Sequence, residues 1–218
     1  MTPITLARSS AACLVAAPAL VATLHVVSPD LGPRSSRLSQ YANGPHGYLM
    51  TLAFLAVGIG MMVLAAALHA QGERRHVPWS VRAGIVVAGG GMVISGLVPT
   101  DPGSANSMRE AIHSLASGLA SVVVIGAALL WLVVGRWRAP AGWQPSGAGA
   151  VCAIVAAVFA TASPWLHRSS WTGLSQRALW VAVLCWLLSV LWSLRTAATT
   201  YVSGDVSAGS ATQETIDA

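Results

Sequence analysis

Three ionisable side chains stand where long apolar runs end or begin: Asp101, His113 and Arg177. An aspartate just past the end of a helix meets the negative end of its dipole, at a cost of about 0.3–1 kcal/mol, so a compensating cation is expected beside Asp101. Arg109 and Arg177 are the available partners, and Asp101–Arg177 is the preferred ion pair. Thr100-Asp101-Pro102-Gly103 is also good type I or II turn chemistry, a role that can coexist with pairing. His113 is followed by Ser117 and Ser121 at i+4 and i+8, so the three share one helical face. An ionisable residue inside a spanning helix faces the bundle or a wet cavity, which makes it a functional candidate. A further polar cluster, Ser39-Gln-Tyr-Ala-Asn-Gly-Pro-His46, supplies Ser39, Tyr41, Asn43 and His46.

Three chemistries fit these residue types. The preferred one is lipid binding or organisation without catalysis, with Arg177, Arg34 or Arg109 meeting a headgroup phosphate, since guanidinium binds phosphate bidentately. Its expected binding set is Tyr41, Asn43, His46, Asp101, Arg109, His113, Ser117 and Arg177. The alternative is an intramembrane metal-dependent lipid hydrolase or transferase, with His113, Asp101 and Ser39 as catalytic candidates and His46, His113 and Asp101 as candidate ligands. A catalytic zinc needs three protein ligands and a water. Only a convergence of loops could supply them, because no HExxH pair is present. The last is haem held between His25 and His113. Enzymatic activity is left open on these grounds, and no resident cofactor is expected.

Exclusions are firmer. The chain has no lysine, so neither a lysine Schiff base nor a GxxxxGK[ST] phosphate loop can be built. Its net charge of +5 comes from arginines scattered through loops, which does not make a nucleic-acid footprint. Cys13, Cys152 and Cys185 each lie within an apolar run, without ligand spacing, and are expected as small buried hydrophobes.

The elements that must position these groups are membrane helices. Apolar runs at about 10–28, 47–70, 81–100, 111–135, 149–166 and 178–198 each match the roughly 20 residues needed to cross a bilayer core. Backbone groups in lipid must be satisfied within the segment, so the fold class is all-α: a polytopic membrane protein with a six-transmembrane-helix bundle over residues 1–200. Residues 201–218 lack apolar periodicity and are expected as a disordered cytoplasmic tail. The first run is too long for a signal peptide h-region and has no clear cleavage site, so it is taken as a span.

Arg8, Arg74, Arg75, Arg82, Arg136, Arg138 and Arg195 fall on one side, against Arg34, Arg37, Arg109, Arg168 and Arg177 on the other. The positive-inside rule then puts both termini in the cytoplasm of a cell inner (plasma) membrane protein, with the first, third and fifth loops outside. Trp79, Trp131, Trp137 and Trp143 would mark one interface, and Trp165 and Trp171 the other. The third run carries Gly84, Gly89, Gly90, Gly91 and Gly96, a surface without bulk that predicts a central helix.

Leu38-Ser-Gln-Tyr-Ala-Asn-Gly-Pro-His-Gly-Tyr48, Gly96-Leu-Val-Pro-Thr-Asp-Pro102, His113 and Gly173-Leu-Ser-Gln-Arg177 occur in this order. Together they resemble the prokaryotic membrane proteins grouped as domain-of-unknown-function family 998, over about residues 10–198. The resemblance implies a six-helix integral membrane protein whose polar motif residues match Ser39, Tyr41, Asp101, His113 and Arg177, and it implies no activity. By architecture alone the chain is also similar to the eukaryotic Frag1/DRAM/Sfk1 group of six-helix membrane proteins, linked to lipid and membrane homeostasis.

Overall fold

The computed structural model describes residues 1–71, 77–101, 107–138, 144–166 and 169–214, with side chains followed as far as Arg195 except those of 138 and 164. Six α-helices carry the chain: α1 (Pro3–Val27), α2 (Gly47–Ala70), α3 (Trp79–Leu97), α4 (Met108–Arg138), α5 (Gly147–Leu166) and α6 (Thr172–Glu214). A short 3-10 helix (Leu38–Asn43) lies between α1 and α2. Among the described residues there is no strand. Five helices (all but α5) are long and apolar enough to cross a membrane, and α5 contributes a shorter apolar helix. The chain is thus an all-α, membrane-embedded protein.

The helix ends differ from the expected ones for local reasons. α1 begins at Pro3 because Thr2 caps it, its Oγ1 accepting from the Thr5 amide, and Pro3 occupies a first-turn position where its missing N–H costs nothing. α4 starts at Met108 because the Ser107 hydroxyl accepts from the Glu110 amide. α6 starts at Thr172 and continues to Glu214. The residues expected as a tail are therefore helical up to 214. Extending an existing helix adds a bond per residue without the cost of nucleation.

Helices adjacent in sequence pack side by side: α1 on α2, α2 on α3, α3 on α4, and α5 on α6. The α5–α6 hairpin closes the bundle, touching α4 through α5 and α1 through α6. Lipid tails are as apolar as leucine, so association inside the membrane depends on close packing and interhelical hydrogen bonds. The expectation of a central α3 needs correction: α3 packs closely between α2 and α4, but α2, which meets α1, α3, α6 and the 3-10 helix, is the central helix. Gly58 of α2 and Gly89 of α3 face each other so closely that a Cβ at either would lie 2.6 or 2.7 Å from the other's carbonyl oxygen. The opposite face of α3 meets α4, where a Cβ at Gly91 would lie 2.8 Å from the Ala116 carbonyl oxygen. The Ser10 hydroxyl donates to the Gly60 carbonyl at 2.8 Å, tying α1 to α2 within the buried interior.

Two surface expectations need correction. Trp79, Trp137, Trp165 and Trp171 are exposed, as an aromatic belt requires, but Trp131 is buried in the core against the neighbouring helices. Trp143 lies outside the described residues. Cys185 is exposed and Cys13 and Cys152 are only half-buried, so none is a core residue. The helix rotation sets this: Trp186 and Leu187, the next positions on α6, take the inward face.

Candidate functional site

The first, third and fifth loops converge at one end of the bundle. Asn43 donates through Nδ2 to the Thr100 hydroxyl at 2.8 Å, and that hydroxyl donates to the Ser39 carbonyl at 3.3 Å. The Leu174 amide donates to the Arg34 carbonyl, and the Leu38 amide to Oε1 of Gln176. Arg34 lies over the Trp171 ring, 4.0 Å from its centroid, and reaches the Ser170 hydroxyl at 3.4 Å.

Arg177 is the hub of this end. The two N–H groups of its Nη1 are shared among three carbonyls, those of Pro33 and Ser36 at 2.8 Å each and of Gly173 at 2.9 Å. Nε donates to Nε2 of His25 at 3.0 Å, and Nη2 reaches the Tyr41 hydroxyl at 3.4 Å. Gly173 makes this arrangement available: a Cβ there would lie 2.6 Å from the Pro33 carbonyl oxygen and 2.9 Å from Nη1 of Arg177. The Gly-x-x-x-Arg spacing thus leaves a bare backbone one helical turn before a five-donor side chain, and the first loop folds into that gap. Tyr41, 1% exposed, donates to the Leu31 carbonyl at 2.7 Å and packs on His25.

Among the described residues the expected Asp101–Arg177 ion pair is not found; backbone carbonyls and His25 occupy the guanidinium. Asp101 sits next to α4, with its amide donating to Oε2 of Glu110 at 3.0 Å. The turn expected over 100–103 extends into residues outside the described ones.

His113, 4% exposed, is placed by α4 against the end of α3. Its Nδ1 approaches the carbonyls of Ser95 (3.1 Å) and Val98 (2.8 Å), and both can only accept, so Nδ1 carries the proton. These are last-turn carbonyls of α3 that lack an intrahelical donor, so the imidazole serves as a cap supplied by the neighbouring helix. The ring also meets Phe54 edge-on, with centroids 5.8 Å apart.

Beside His113 lies a cavity of about 320 Å³ bounded by α4, α5, α6 and the 3-10 helix. It is lined by His113, Glu110, Arg37, Gln176 and a set of hydroxyls that includes Ser39, Ser114, Ser117 and Ser121, with Phe54, Phe159 and Trp180 as apolar wall. From Glu110 to Ser121 the cavity follows α4 for about 16 Å at 1.5 Å per residue, from loop level into the apolar span. A second, almost wholly apolar groove of about 470 Å³ runs between α1, α2 and α6 past Pro18, with His25 and Arg177 at its polar end, and Trp180 borders both spaces.

Of the residues singled out by sequence, Ser39, His113 and Ser117 share the cavity, while Tyr41 and Arg177 form the adjacent latch. Asn43 and Asp101 brace the loops. Arg109 is exposed, and His46 precedes α2 and packs on Tyr48. Among the described residues no three His, Cys, Asp or Glu side chains come together as a ligand set, so His46, His113 and Asp101 do not make a metal centre. The haem pair fails too: His25 has Nδ1 on the Val21 carbonyl and Nε2 taken by Arg177. No hydrogen bond joins Ser39 to His113 among the described residues. Glu110 is the cavity residue that sequence reasoning passed over. Its signal was the Ser107-x-x-Glu110 capping pattern, although the carboxylate turns to the Asp101 amide.

Comparison with curated proteins and with solved structures returns no match. The model of one family, described as protein of unknown function (DUF998), matches residues 11–193. That stretch holds α2, α3, α4 and α5 entire, about two thirds of α1 and nearly all of the apolar part of α6, with the latch and the cavity inside it, and the chain belongs to this family.

Proposed function

We propose that the protein binds or organises a membrane lipid, whose polar part enters the hydroxyl-lined cavity beside His113 while its chains stay in the apolar phase. In this reading all six helices cross the inner (plasma) membrane, both termini are cytoplasmic, and the latched loop end faces outward, as the arginine distribution favours. The observation that carries the proposal is the cavity's position. It starts at the loops among Arg37, Thr100 and Glu110, and descends between α4 and α5 to Ser121 and Val122, at a depth where a water-soluble ligand has no reason to reach. Half-polar, half-apolar walls suit an amphiphile, and ligand sites between bundle helices are common.

Arginine has a smaller part here than its phosphate chemistry suggests. Arg177 is committed to the first loop and Arg34 to Trp171, which leaves Arg37 as the guanidinium at the cavity. Native mass spectrometry of the protein released from mild detergent tests the proposal. The wild type is expected to carry a lipid mass, and Ser117→Phe, which fills the cavity, to lose it. A bare polypeptide mass for the wild type in several detergents would remove the reading.

A further inference from the structure

We infer that the cavity selects a lipid headgroup carrying a primary ammonium, which it receives against Glu110; this rests on the lipid-binding reading above. The argument is an accounting of hydrogen-bond donors along the cavity wall. Ser114 donates its hydroxyl proton to Oε1 of Glu110, Ser117 to the Ser114 carbonyl, Ser121 to the Ser117 carbonyl and Ser175 to the Thr172 carbonyl. A serine whose proton is used on its own helix offers only oxygen lone pairs to whatever lies beside it. The His113 ring agrees with this pattern. It is 4% exposed, its Nδ1 proton is directed to α3 rather than into the cavity, and Nε2 makes no hydrogen bond among the described residues.

Glu110 adds charge to this acceptor-rich wall. Its oxygens accept from the Asp101 amide at 3.0 Å and the Ser114 hydroxyl at 3.2 Å, and no Arg or His within ion-pair distance neutralises it among the described residues. The α4 N-terminus accounts for its presence there, but not for the surplus of acceptors along 11 residues of helix below it. A partly buried carboxylate beside a row of lone pairs calls for a ligand with several N–H donors and a positive charge, which a primary ammonium supplies. The donors on the wall are Arg37, at the same loop end as Glu110, the Gln176 amide group left after its Oε1 has accepted from Leu38, and the Ser39 and Ser163 hydroxyls, which donate no hydrogen bond among the described residues. A carboxylate and a guanidinium at one end suit a zwitterionic headgroup, with ammonium toward Glu110 and phosphate toward Arg37.

The test is lipid titration of the full-length protein in detergent, read by native mass spectrometry and by thermal midpoint. Dioleoyl phosphatidylethanolamine is compared with the phosphatidylcholine and phosphatidylglycerol of the same chains, and with water-soluble phosphoethanolamine. One charge-assisted hydrogen bond is worth about tenfold in affinity or more, so phosphatidylethanolamine should bind at least about tenfold more tightly than phosphatidylcholine, which has no N–H. Glu110→Gln should remove that preference. The wild-type lipid comparison stands on its own if this variant does not fold. Binding of phosphoethanolamine alone would support the ammonium assignment and identify a soluble ligand as its source, against the lipid reading. Equal binding of the three lipids would overturn the ammonium inference and leave the lipid site standing. No retained lipid of any class, and no bound amine, would overturn both.

Discussion

Nε of Arg177 donates to Nε2 of His25 at 3.0 Å, so the start of the last helix is bound to the end of the first across 152 positions of sequence. A double-mutant cycle between His25→Phe and Arg177→Gln should therefore show coupling of about 0.5–3 kcal/mol, the range for groups in one network. The Asp101→Asn, Arg177→Gln cycle should be additive to within about 0.5 kcal/mol. Thermal unfolding in detergent reads both. Coupling confined to the Asp101 cycle would reject the described latch.

Arg177→Lys is expected to destabilise nearly as much as Arg177→Ala. The guanidinium serves Pro33, Ser36, Gly173, His25 and Tyr41 from a planar fork, whereas an ammonium is a point with three donors. The Pro33 carbonyl is exposed and those of Ser36 and Gly173 are part-buried, so each lost hydrogen bond is expected to cost about 1 kcal/mol. Recovery of wild-type stability in the lysine variant would show that charge, not fork geometry, holds the loop.

Gly173 and Gly90 make a matched pair. Gly173→Ala should open the contact between the first loop and α6 and lower the midpoint by several degrees, because its Cβ would overlap the Pro33 carbonyl. Gly90→Ala should be neutral or stabilising, since nothing lies within 4 Å of a Cβ there and alanine is the better helix former by about 1 kcal/mol. Limited proteolysis of the first loop, accelerated in the first variant and unchanged in the second, would separate a local effect from a general one.

His113→Phe should cost about 1–3 kcal/mol by leaving the Ser95 and Val98 carbonyls without their donor, and His113→Asn should restore part of it. Measured midpoints would decide. Equal loss in both variants would mean that ring packing on Phe54 outweighs the cap.

The helices were legible because bilayer thickness prescribes the length of an apolar run, and the small-residue face of α3 announced a helix packed on both sides. The meeting of the first and third loops, and of the first loop with the start of α6, followed from parity, since alternate connections of an up-and-down bundle lie at the same end. The partner of Arg177 was not legible. An opposite charge was sought, and the chain used the carbonyls of Pro33 and Ser36, groups that every residue carries and no pattern of side chains reveals. Trp131 was misplaced for a related reason: an aromatic near a helix end reads as an interface anchor until the rotation of α4 turns it inward. Glu110 was not legible as a cavity residue, because its place there depends on how α4 is turned against α5 and α6.

The latch has a consequence for how the protein is made. The carbonyls of Pro33 and Ser36 leave the ribosome more than a hundred residues before Arg177, the side chain that completes them. Until the final hairpin arrives, the nascent chain holds an open first loop and an unclosed flank on α1. A chain that stops before α6 therefore lacks the side chain that closes the first loop, and its whole latched end stays undone.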